Sequence, residues 1–178
     1  MRMLEQRIQQ QFFDSADLLY QVAEPLARPL ADALAAIVGS ITSGGKLLVA
    51  GSALAPHAAS LFVEGFERER PPLAALALAA DPTPLRALGL PGDVLLLLDD
   101  RLSEATALAL VEAAHGKDMS VVALTGAAPG WRAALAETDV LVAVPHERAA
   151  RVRELHLLML HALADALDLQ LMGEQDPA

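Results

Sequence analysis

"LLVAGSALAPHAASLFVEGF", residues 47–66, sets the fold class. It reads as a buried strand, then a single glycine, then a helix. In many α/β proteins this junction holds an anion, because a glycine-rich loop and the helix N-terminus aim backbone N–H groups at it. Here the loop is almost absent, and Ser52 is what remains for such a contact.

The same grammar repeats outward. "KLLVAG" (46–51), "LAALAL" (73–78), "DVLLLL" (93–98), "MSVVAL" (119–124) and "DVLVAV" (139–144) are short apolar runs bounded by Gly, Pro or Asp. Strands buried on both faces read this way and belong to parallel sheets. Helical segments are expected at 53–66, 103–115 and 130–136, and a final one near 147–170, giving a doubly wound α/β sheet. Between the second and third strands, residues 79–92 leave room for about one helical turn near Leu85–Leu88, little for a parallel crossover. Upstream, Leu4, Ile8, Phe12, Ala16 and Leu19 recur at helical spacing. Pro25 or Pro29 is expected to break that helix, so residues 1–43 read as a helical pair ending at "TSGGK". A single domain over 1–178 is expected: helices for oligomerisation at 1–43, the sandwich at 44–170 and a tail at 171–178.

Apolar residues make up 54% of the 178 and charged residues 20%, which excludes a disordered chain. A net charge of −10 argues against direct nucleic-acid binding, which needs basic surface. With no cysteine, thiolate catalysis and Cys-bound zinc are excluded. The N-terminal stretch lacks the apolar core of a signal peptide, and no run reaches about 18 uninterrupted apolar residues. A cytoplasmic protein with no membrane partner is the expectation.

"SGGKLLVAG" (43–51), "HAASLFVEGFERERPPLAALAL" (57–78), "LPGDVLLLL" (90–98), "GKDMSVVALTG" (116–126) and "VPHERAARVRELHLLMLHAL" (144–163), in this order, resemble the sugar isomerase (SIS) domain family. The similarity is to the branch holding the phosphoheptose isomerases and the DnaA initiator-associating proteins (DiaA). It implies a three-layer α/β/α, flavodoxin-like sandwich with a five-stranded parallel sheet, and homodimers or homotetramers built through the N-terminal helices. In the isomerases it implies two serine-bearing loops around a sugar phosphate and a glutamate–histidine pair. Moving a carbonyl along a sugar needs one group to take a proton from carbon and another to serve oxygen.

Laid on this sequence, the implied site is incomplete. The first loop is about four residues short of the family pattern if His57 matches the family's helix histidine, leaving Ser52. Asp99 and Asp100 stand where the second loop has hydroxyls, followed by Arg101 and Ser103. A carboxylate facing a phosphate at about 4 Å costs on the order of 1–4 kcal/mol per charge pair. Leu61 occupies the glutamate position, with Glu64 a turn further on; His161 matches the family histidine, and Arg153 replaces a glutamine.

Bland alternatives accompany these readings. Asp100 or Ser103 also reads as the cap of the next helix, and Asp99 with Asp100 as a divalent-ion site. His156 and His161, five apart, do not make a helix metal pair, and neither metal nor cofactor is expected. "ERER" (67–70) reads as a solvated charge run or an interface element, and Trp131 as core. Of Phe12 and Phe13, one is expected against another subunit.

Two functions remain open. One is a non-catalytic oligomeric scaffold resembling DiaA, which binds the DnaA initiator and regulates replication initiation. The apolar pair implicated in partner contact in that branch matches Leu171–Met172. The alternative is a phosphoheptose isomerase acting through His161, or a sensor of sugar phosphates.

Overall fold

The computed structural model describes residues 1–127 and 129–173. The elements are α1 (Arg2–Thr42), β1 (Leu47–Ala50), α2 (Ala55–Glu64), β2 (Ala75–Ala77), α3 (Pro82–Leu88), β3 (Val94–Asp99), α4 (Glu104–His115), β4 (Ser120–Thr125), β5 (Val140–Ala143) and α5 (Ala149–Met172). A short 3-10 turn spans Gly130–Ala134. The five strands form one parallel sheet in the order β2-β1-β3-β4-β5: the apolar runs implied a parallel, doubly wound sheet, and the family resemblance implied this flavodoxin-like order.

Alternation along each strand explains why the sheet is covered twice. Val94, Leu96 and Leu98 of β3 pack with α1, α2 and α5, through Ile37, Phe62, Leu155 and Leu160. Leu95 and Leu97 point the other way, to Leu85 of α3, Leu110 of α4 and Trp131. Residues on both faces are apolar because both faces are buried.

Three expectations need correction. The N-terminal helical pair is one continuous helix that carries Pro25 and Pro29 inside it. Leu18, Val22, Leu26, Ala33 and Ile37 form a buried stripe running past both prolines. Packing of that stripe outweighs the two missing N–H donors. The tail assigned to 171–178 begins too early, since Leu171 and Met172 belong to α5; residues 174–178 lie outside the described residues. The thin crossover forms two helical turns, Pro82–Leu88, started by Asp81, whose carboxylate accepts from Thr83 N at 2.6 Å. The backbone N–H of Thr83 holds that carboxyl below its ordinary pKa.

α5 is long and apolar enough by length and composition to cross a membrane. In this fold it is a core helix, with Val152, Leu155, Met159, Leu163 and Leu167 buried against the sheet layer.

Candidate functional site

Strand order places the site. β1 and β3 are neighbours, yet the chain leaves β1 for α2 on one face and β3 for α4 on the other. In open α/β sheets this topological switch opens a crevice at the carboxyl ends of the two strands. Gly51 ends β1 with φ +113, and a Cβ there would sit 2.4 Å from Leu98 O, so only glycine lets the backbones approach this closely. Ser52 follows β1, while Asp99 and Asp100 end β3.

Three side chains meet in the crevice through two contacts. Ser52 Oγ donates to Asp100 Oδ2 at 3.0 Å. Arg153, one turn into α5, donates from Nε to the same oxygen. The Asp100 side chain is 3% exposed and that of Arg153 41%. Hydrogen bonding to Asp100, and then its charge, push the Arg153 guanidinium further up in pKa.

The other residues singled out in the sequence have different employment. Asp99 accepts from Leu102 N and from Trp131 Nε1, each at 2.9 Å. Trp131 is thus core with a hydrogen-bonded indole. Ser103 is the N-cap of α4, accepting from Thr106 N at 3.1 Å. Arg101 is exposed and lines a cleft of about 250 Å³ with Asp99, Asp100, Gly126 and His146. Leu171 packs on the core and Met172 is exposed. Both lie roughly 27 Å along α5 from Arg153, outside the crevice.

His57 and His161 meet across the α2–α5 seam, with Nε2 atoms 3.3 Å apart, the N–H of one ring facing the other's lone pair. His161 also stacks on Phe66, with centroids 5.2 Å apart. No third His, Asp or Glu joins them in a ligand cluster among the described residues. Leu61, a turn beyond His57, is buried in the core, and Glu64 is exposed at the end of α2. Among the described residues no carboxylate joins the pair to complete the glutamate–histidine arrangement that carbon acid chemistry needs.

Two polar features have contacts that the sequence reading did not place. "ERER" is anchored: Arg70 Nε donates to Asp168 Oδ1 at 2.5 Å, both side chains being buried, and Phe66 N donates to Asp168 Oδ2 at 2.8 Å. A 98-residue separation leaves no spacing signal for such a pair. The second is His156, fully buried near Thr125, Asp99 and Asp100, with neither ring nitrogen in good hydrogen-bond geometry with a partner among the described residues. Burial pushes its pKa down; the Thr125 backbone and the two carboxylates oppose this more weakly, and Arg153 adds to it.

The sign follows. Below the ordinary imidazole value of about 6.5 the unfolded chain takes up a proton that the folded chain refuses. Stability is therefore full above that value and falls as pH drops through the window below it. His156→Leu is expected to flatten the dependence of urea midpoint on pH between about pH 5 and 7. An unchanged slope would assign that dependence to other groups.

No family model matches the chain. Curated relatives span its whole length. The phosphoheptose isomerase of Methylibium petroleiphilum is 50% identical, covering 99% of each chain. That of Aromatoleum aromaticum is 40% identical over 96% of this chain and 97% of its own. Among solved structures, phosphoheptose isomerase GmhA from Neisseria gonorrhoeae superposes with TM-score 0.82 at 33% identity, covering 93% of this chain and 98% of that one. A phosphoheptose isomerase from Francisella tularensis gives 0.84 at 31%, covering 94% and 99%.

Proposed function

The chain belongs to the phosphoheptose isomerase family of SIS-domain proteins, and from that premise we propose that it is a non-catalytic member, a homo-oligomeric scaffold for a protein partner. The observation that carries this reading is the occupied crevice. Asp100, where the family resemblance implies a phosphate-binding hydroxyl, lies between Ser52 and Arg153 as a paired carboxylate. A sugar phosphate brought there meets a negative charge whose hydrogen-bond donors are already engaged. Leu61 compounds the loss, because a leucine buried in the core cannot take a proton from carbon.

The partner proposed from the resemblance is the DnaA initiator. Multivalent display needs symmetry rather than a reactive pocket. Of the pair Leu171–Met172, Met172 is exposed, and Leu169, three residues earlier, is exposed too. These two form the apolar patch offered at the end of α5.

The purified protein is expected to show no turnover of sedoheptulose 7-phosphate and to capture the initiator in a surface-binding assay. The meeting of His57 and His161 favours a second reading, residual isomerase activity. Turnover that drops on His161→Ala would establish it and defeat the scaffold proposal, as would failure to capture the initiator.

A further inference from the structure

At the switch-point crevice the protein brings two donors, the Ser52 hydroxyl and the Arg153 guanidinium, onto one oxygen of its own carboxylate. The donors come from elements far apart in sequence, 101 residues between 52 and 153. Ser52 is buried and the Asp100 carboxylate nearly so. A hydroxyl and a guanidinium converging at the carboxyl ends of β1 and β3 make a seat suited to an oxyanion. What fills the seat here is a side chain of the chain itself.

We infer that Asp100 is the specificity-determining residue of this crevice: a tethered anion that keeps tetrahedral oxyanions off the Ser52 and Arg153 donors, which remain in place although the first loop is short. The inference rests on the non-catalytic reading and gives it a cause in one residue. Arg153 keeps its charge and, with its side chain 41% exposed, offers guanidinium N–H groups to solvent. Ser52 stays fixed, since its Oγ also accepts from Leu54 N at 3.3 Å. Removal of the Asp100 carboxylate leaves both donors in place around a space one carboxylate wide. Asp99 does not substitute for it, being held by Leu102 N and Trp131.

The experiment titrates inorganic phosphate into wild type, Asp100→Ser and the double variant Asp100→Ser/Arg153→Met, followed by phosphorus NMR line broadening. Circular dichroism and urea midpoints establish that each is folded. Asp100→Ser is expected to bind phosphate at least about tenfold more tightly than wild type, and the double variant to fall back to the wild-type level. Asp100→Asn removes the charge but keeps the bulk, and is expected to gain less; it carries the comparison if the serine variant does not fold. Equal phosphate affinity in wild type and the folded neutral variants overturns the inference, as does a gain that survives Arg153→Met. Turnover of sedoheptulose 7-phosphate by wild type would instead defeat the non-catalytic reading, and the two failures are separately visible.

Discussion

Asp168→Ala is expected to lower the unfolding free energy by about 3–5 kcal/mol, the cost of stranding a buried charge. Asp168 is fully buried near the end of α5 and accepts from Arg70 Nε and Phe66 N. The Arg70 side chain is 1% exposed, and its two terminal nitrogens donate to Pro71 O and Leu61 O, each at 3.2 Å. Truncation leaves a guanidinium without its counter-charge and a backbone N–H without its acceptor. Water has little access to replace either. Asp168→Asn keeps an acceptor for Phe66 N and should cost less. The double variant Arg70→Met/Asp168→Leu should recover much of the loss, because removal of both charges also removes their desolvation. Urea midpoints at constant m-value measure all three. A loss below about 1 kcal/mol for Asp168→Ala would mean that the pair contributes no more than a surface ion pair.

That pair also marks where sequence reading stops. The strand runs were legible because each is apolar on both faces, and a parallel sheet is the structure that requires this. Gly51 was legible as a junction because the period changes there. "ERER" was not, since alternating charges read as solvated while the fate of Arg70 depends on Asp168 in a distant helix. The prolines misled for a related reason. Pro25 and Pro29 break an isolated helix, but α1 is held by an apolar stripe packed on α5 and the sheet layer.

At the site, Ser52, Asp100 and Arg153 entered one candidate set only through the family resemblance; neither residue type nor spacing joins them. Their direct bonding, with Asp100 closing the seat, required coordinates. The meeting of His57 with His161 was equally invisible, because neither spacing nor composition ties positions 104 residues apart. Ser103 illustrates the opposite case: of the two residues offered as a cap for the next helix, Asp100 and Ser103, it is Ser103 that caps α4.

The double variant Ile8→Asp/Phe12→Asp is expected to be monomeric in light scattering after gel filtration, where wild type is expected to run as a dimer or tetramer. α1 has 41 residues, roughly 60 Å of helix, and none of residues 2–17 is buried in the single chain. Gln11 and Ser15 tie it to Arg151 and Glu154 of α5. Met3, Leu4, Ile8, Phe12, Phe13 and Tyr20 are nonetheless all more than half exposed. Phe12, Leu18, Leu19, Leu155 and Leu158 line an apolar groove of about 360 Å³ between the two helices. A monomer carrying so much contiguous apolar surface is unusual. A second copy laid along the arm can bury on the order of 800 Å² per partner, the size of a stable interface. Two aspartates in the middle of that stripe would each have to be desolvated on association, so affinity should fall by at least about a hundredfold. Far-UV circular dichroism should show the helix retained, because residues 8 and 12 are exposed and leave the buried stripe from Leu18 onward untouched. Initiator capture should weaken in step, since a monomer loses the avidity of linked sites, about 10²–10⁴-fold. A wild-type protein that already runs as a monomer would remove the basis for a scaffold. An oligomer that survives both aspartates would place its interface on another face of the sandwich.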